Sequence, residues 1–168
     1  MAKATMRTLY LLRHAKSSWE NTSLRDFDRP LNDRGLRAAK LMGEYLKSIN
    51  AVVSFIASSP ARRTTETTRI VLESSGYEVP VKFDERIYEA SLRQLLLVLS
   101  ELDDMDQAVL LVGHNPGMEQ LVECLTLQEQ HMPTAALAKV ALNIGSWQGI
   151  KRGVGELEWF VTPKTLNV

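Results

Sequence analysis

The chain has 168 residues, 45% of them hydrophobic, with 20 Lys and Arg set against 20 Asp and Glu. That length supplies one domain, 1–168, with a substantial core, because chains of this size bury roughly two-thirds of their unfolded surface. Zero net charge excludes a global field that would gather nucleic acid or an anionic membrane, so any affinity for phosphate has to be built locally.

In chain order, a buried strand is predicted over "TLYLL" (8–12), and its apolar pattern stops at Arg13, His14, Lys16, Ser17 and Ser18. A helix follows from Arg34 to Ile49, where Leu36, Ala39, Met42, Leu46 and Ile49 recur at steps of three or four and Asn32 offers an N-cap. "AVVSFIASS" (51–59) reads as a second strand. Ser91 and Gln94 form a capping box that opens a helix carrying Leu95, Leu96, Val98, Leu99 and Leu102 inward. "AVLLVGHN" (108–115) is a third apolar strand run. The helical pattern after it holds Leu121, Val122 and Leu125 around Cys124, which reads as a small core residue. "KVALNIG" (139–145) and "GELEWFVTP" (155–163) are two late strands, expected as a hairpin at one sheet edge. No repeat or linker divides the chain, and the alternation of strand and helix implies an α/β sandwich.

The three clearest strand runs end alike. Arg13-His14 follows the first, Ser59-Pro60-Ala61-Arg62-Arg63 the second and His114-Asn115-Pro116-Gly117 the third. In parallel α/β sheets ligands bind at the carboxyl ends of strands, so these residues should converge on one pocket. Ser59-Pro60 and Asn115-Pro116 each offer an N-cap with proline at the first helical position. Helix N-termini favour an anion, and the ligand inferred is phosphate. Arg62 and Arg63 compete for it. Neighbours on a helix point about 100° apart, from roughly 3.6 residues per turn, so only one of them faces the same phosphate.

"LLRHAKSSW", "SSPARRTTET" (58–67) and "VGHNPG" (112–117), in that order, resemble the histidine phosphatase superfamily, the phosphoglycerate-mutase-like fold. "DFDRPLNDRG" (26–35), "IYEAS" (87–91) and "TPKTL" resemble its small bacterial phosphohistidine phosphatase branch. The resemblance implies a three-layer sandwich whose mostly parallel sheet of about six strands carries helices on both faces. It implies His14 as the nucleophile that takes the phosphoryl group, and Arg13 and Arg63 as the arginines that hold it. Arg62 is left at the rim or solvated. His114 matches the second family histidine, contacting the transferred group. Ser17 fits a hydroxyl donor to phosphate, and Asn115 a cap. Glu89 stands near the position of the family's general acid, with Glu85 the competing carboxylate. Glu20 departs from the Asn that many sugar-phosphate members carry after the tryptophan, which argues against a mutase-like substrate.

The substrate expected is a histidine-phosphorylated protein domain. Its leaving group is an imidazole, whose conjugate acid has a pKa of about 6.5, so it departs far more easily than an alkoxide and can do so without a dedicated acid. Small phosphate monoesters are the alternative substrates, and a non-catalytic phosphoryl-binding module is a third reading. Short connections after "IYEAS" leave little material for a lid. Neither reaction requires a metal or an organic cofactor, and zinc on His14, His114 and His131 lacks an H-x-x-x-H spacing. "GVGE" (153–156) is a bare G-x-G without nucleotide context. Trp147 and Trp159 are expected in the packing, as is Trp19, which also stands near the pocket. With one cysteine, no apolar run longer than "LLLVL" (95–99) and an N-terminal segment interrupted by charge, a cytoplasmic protein free of membrane is expected.

Overall fold

The alternation of side chains along a strand means that an unbroken apolar run must be covered on both faces. "LYLL" is such a run. In the computed structural model, which describes residues 6–167, it lies within β1 (Met6–Arg13), near the centre of a six-stranded sheet. β1 pairs in parallel with β4 (Ala108–Gly113) and antiparallel with β5 (Leu137–Asn143). Outside β4 lie β2 (Phe55–Ser58) and β3 (Val81–Phe83), both parallel to it, and outside β5 lies β6 (Gly155–Val161). The order is β3-β2-β4-β1-β5-β6. This is the three-layer, mostly parallel α/β arrangement expected, with the late hairpin at one edge.

Leu9 and Leu11 of β1, with Val109 and Leu111 of β4, face α3 (Leu92–Ser100) and α4 (Gly117–Thr126). Tyr10, Leu12, Leu110 and Val112 point the other way, onto α1 (Asp33–Ser48) and α2 (Arg62–Ser75). All eight side chains are buried. A short α5 (Pro163–Leu166) packs beside α1. Among the described residues no helix is long and apolar enough to cross a membrane.

Local signals fall where the side chains require. Asn32 accepts from the Gly35 amide at 2.8 Å, and Ser91 and Gln94 cap each other's backbone as a box. Trp147 is fully buried, its indole N–H donating to the Asp106 carbonyl, Trp159 packs against Tyr10 and Tyr45, and Cys124 is buried in α4.

Several expectations are corrected. Only Phe55–Ser58 of the 51–59 segment is strand, because Ala51 turns back to bond the Leu46 carbonyl and closes the end of α1. Leu36 and Ile49 are 37% and 41% exposed, since the buried stripe of α1 runs through Gly35, Ala39, Met42, Gly43 and Leu46, beside Leu36, and Ile49 is the C-cap beyond the last turn. The edge strand β3 has three residues and no apolar run to announce it. The cap-and-proline reading shifts by two residues at α2, which begins at Arg62 behind Ala61, and by one at α4, which begins at Gly117 behind Pro116. The Ser59 and Asn115 side chains are thereby released for other partners. Trp19 is exposed, with the Arg29 guanidinium stacked on its ring, and is not core.

The turn after His14 rests directly on the first turn of α1. The Lys16 carbonyl accepts from the Asn32 amide, and a Cβ built on Gly35 would stand 2.1 Å from that oxygen. Gly35→Ala should therefore destabilise the protein by about 1–3 kcal/mol from overpacking against backbone, exceeding the roughly 0.5–1 kcal/mol that alanine gains in a helix interior. Urea denaturation of the two proteins measures the difference.

Candidate active site

The parallel strands β1, β2 and β4 end on the same side of the sheet, and each delivers one charged or polar turn to that edge. His14 follows β1, Ser59 follows β2 with Arg63 the second residue of α2, and His114 follows β4. The two imidazole rings lie 5.2 Å apart, centre to centre, and both are buried. Arg63, also buried, points a guanidinium nitrogen at His114 Nδ1, 3.3 Å away.

Hydrogen-bond chemistry fixes the protons. His14 Nδ1 lies 2.7 Å from the Ala15 carbonyl oxygen, which can only accept, so Nδ1 carries the hydrogen. In the neutral ring Nε2 then has a free lone pair. Arg63 can only donate, so His114 Nδ1 is an acceptor and its Nε2–H donates to Ser59 Oγ at 2.7 Å. Burial pushes His14 down to about 4, assisted by Arg63, Arg13 and Arg29 and opposed by the bond to Ala15. Burial likewise carries His114 down to about 3, with His14 and Arg63 adding to the shift.

The positive charge is held by one carboxylate. Asp26, at the start of a 3₁₀ turn (Asp26–Asp28), accepts from Arg63 Nη2 at 3.0 Å, Arg29 Nη1 at 3.0 Å and Tyr88 Oη at 2.7 Å. Its backbone carbonyl accepts Arg63 Nη1 at 2.8 Å. Burial alone would raise the Asp26 carboxyl, but Tyr88, Arg63 and Arg29 outweigh it and leave the group at about 2. Burial and the Asp26 charge push Tyr88 up to about 12, and its ring packs against His114 and Phe27.

Arg13 donates to the Met132 carbonyl at 3.1 Å, while its Nε is buried without a partner among the described residues. Burial lowers its pKa, with Glu119 acting in the opposite direction. Ser17 is buried beneath Arg29, which donates to its hydroxyl oxygen and leaves the hydroxyl hydrogen free to donate. Arg29 also donates to the Ser18 carbonyl.

Of the residues predicted from sequence, His14, Arg63 and His114 thus form one cluster, with Arg13 adjoining His14 and Ser17 joined through Arg29. Arg62 is on the outer face, paired with Glu66 at 3.2 Å. Glu85 and Glu89 are exposed, Glu89 at a positive φ of 50°. Asn115 is not a helix cap; its amide donates to Glu119 and to the Met132 carbonyl. His131 is exposed and pairs with Glu119. Four residues lie inside the quoted motifs without a predicted role in the site: Asp26, Arg29 and Tyr88 have none at all, and Ser59 only that of a helix cap. Arg29 and Asp26 stand three apart in "DFDR", a spacing at which opposite charges meet, and this was the available signal.

Three guanidiniums and two neutral imidazoles around one carboxylate make a cage suited to a compact anion, with an imidazole nitrogen free for attack. Its charged groups are chiefly cations, which suit phosphate rather than a metal ion. A profile of the histidine phosphatase superfamily (branch 1) matches residues 9–96. An uncharacterised protein of Mycobacterium leprae is 30% identical over 91% of this chain and all of its own length. A crystal structure from Agrobacterium tumefaciens, provisionally named phosphohistidine phosphatase SixA, superposes with a TM-score of 0.80 at 27% identity, covering 94% of this chain and 98% of that one. A protein of the same provisional name from Nakamurella multipartitia gives a TM-score of 0.83 at 25% identity, over 96% and 99%.

The two imidazoles fix a pH window. Their folded pKa values, about 4 and about 3, lie below the ordinary 6.5, so as pH falls below 6.5 the unfolded chain takes up protons first. The corresponding stability is complete above pH 6.5 and is lost on descent, down to about pH 4 for His14 and about pH 3 for His114. In NMR titration the His14 and His114 ring resonances should hold their neutral positions down to about pH 5.5. Denaturant midpoints should fall between about pH 6.5 and 4, and less steeply in His114→Asn.

Proposed function

The chain belongs to the histidine phosphatase superfamily, and from that premise we propose that it removes the phosphoryl group from phosphorylated histidine on a protein, through a covalent intermediate on His14. The observation that carries the reading is the hydrogen bond from His14 Nδ1 to the Ala15 carbonyl, which leaves Nε2 as a neutral nucleophile inside a cage of arginines. The provisional names of the Agrobacterium and Nakamurella structures support the substrate class.

In the first step the Nε2 lone pair attacks phosphorus, the new N–P bond forms, and the N–P bond of the substrate breaks with its electrons returning to the substrate imidazole. Arg13 and Arg63 stabilise the charge spread over the phosphoryl oxygens in the transition state, with Ser17 as a further donor and His114 contacting the transferred group and orienting Arg63 through its Nδ1. The phosphorylated His14 ring keeps its Nδ1–H and carries positive charge, which the Ala15 carbonyl stabilises. In the second step water attacks phosphorus, the N–P bond to His14 breaks, and orthophosphate departs with the water's proton passing to phosphate or solvent. His14 is restored neutral. The reaction needs no metal or organic cofactor.

A leaving alkoxide would need a proton at once. Asp26, held at about 2, stays ionised with its oxygens occupied, and Tyr88, at about 12, keeps its proton. Glu89 remains the family-position acid, exposed at the surface. An imidazole leaving group makes that acid dispensable.

Phosphate release from a helical protein domain phosphorylated on histidine, run beside small phosphate esters, tests the reading. Wild-type protein should act on the domain, His14→Ala should lose at least about 10³-fold, and Glu89→Gln should stay within about threefold, against the 10²–10⁴-fold expected of an essential general acid. Fast ester hydrolysis lost in Glu89→Gln, with the phosphorylated domain untouched, would assign the site to small metabolites. His14→Ala with full biological activity would assign it to binding alone.

A further inference from the structure

Beside the proposed reaction centre, the surface between α1 and α5 forms an open groove of about 760 Å³. Five cations line it, Lys16, Arg34, Arg37, Lys40 and Lys164, against the single carboxylate of Glu44. Lys40 pairs with Glu44 at 3.8 Å; the other four form no ion pair among the described residues. A chain of zero net charge has thus gathered a quarter of its 20 Lys and Arg in one depression. Half-buried Ala38, Leu41 and Pro133 supply apolar surface between the charges.

The groove begins at the site. Lys16 lies two residues beyond His14, and its carbonyl accepts the Asn32 amide at the head of α1. Pro133 and Thr134 connect Met132, whose carbonyl receives Arg13, to Ala135, whose amide donates to the His14 carbonyl. From there the lining follows α1 from Arg34 to Glu44, about 15 Å at roughly 1.5 Å per residue, or three turns of a helix.

We infer that this groove docks an acidic, amphipathic helix of the protein that carries the phosphohistidine. The inference rests on the protein-substrate reading above and names the surface that reading leaves open. A row of unpaired cations steers an acidic partner and fixes its register, while Ala38, Leu41 and Pro133 accept the apolar face of a helix laid along α1. Nucleic acid fits less well. No aromatic side chain lines the groove to stack a base, and its apolar surface stands where a phosphate backbone would need donors.

Steady-state kinetics separate docking from chemistry. The substrates are a helical domain phosphorylated on one histidine, with acidic residues on the adjoining helix, and free phosphohistidine. Arg34→Glu with Arg37→Glu should raise KM for the domain at least about tenfold, hold kcat within about twofold and leave free phosphohistidine turnover unchanged. The salt dependence of the wild-type KM between about 0.05 and 0.25 M should disappear. Reversing the acids of the domain's helix to Lys should restore KM. If the double variant fails to fold by circular dichroism, Lys164→Glu on the opposite wall should still raise KM about threefold.

An unchanged KM for the domain in the folded variants would overturn the docking inference alone. So would an RNA oligomer that blocks domain turnover where an acidic helical peptide does not. Wild-type protein that released phosphate from neither substrate would overturn the reading beneath it, and the inference with it.

Discussion

Asp26 holds together an assembly that charge repulsion would otherwise open. Arg63 and Arg29 are both buried at the carboxyl edge of the sheet and both donate to this one carboxylate, which also takes the Tyr88 hydroxyl. A buried charge without a partner is costly, and the cost is met by a counter-charge with saturated hydrogen bonds. Asp26 neutralises part of the positive charge while orienting both guanidiniums. Arg29 in turn holds the Ser17 hydroxyl and covers Trp19, so a residue far from β1 in sequence determines how the turn after His14 is arranged.

Burial keeps both histidines neutral, and the same positive surroundings add to it. A protonated ring here would sit in a dry site beside Arg13, Arg29 and Arg63, and burial and those charges act in the same direction. Neutrality at His14 is useful because an imidazolium has no lone pair for attack. The hydrogen bond to Ala15 then decides which nitrogen is free. The cage proposed to bind an anion and the environment that keeps the proposed nucleophile unprotonated are therefore one structural device.

The sheet, its covering helices and the convergence of His14, Arg63 and His114 are legible in sequence, because an apolar run has to be a covered strand and each residue stands just beyond the end of one. Helical geometry lets only one of Arg62 and Arg63 face the pocket, the family resemblance selects Arg63, and Arg62 pairs outward with Glu66. The remainder is set by tertiary contact. Asp26 and Arg29 come from an irregular segment with no periodicity to place it. Ser59 resembles a helix cap by position, yet its hydroxyl is taken by His114, a residue 55 positions away. β3 is a short edge strand whose Lys82 and Phe83 are exposed, so no buried face imprints its pattern.

The proposed chemistry also explains why the site can be so spare in acids. In the first step an imidazole displaces an imidazole, so the bond broken and the bond formed are of one kind and the step is nearly balanced in energy. What remains for the protein is alignment and stabilisation of the transferring charge, which arginines supply without changing protonation state. The second step, attack by water, draws the sequence forward as orthophosphate leaves. A nearby ionisable carboxyl would serve an alkoxide leaving group, but here it would weaken the positive cage. In this arrangement Asp26 is better kept as a permanent anion bonded to the arginines than as a proton donor.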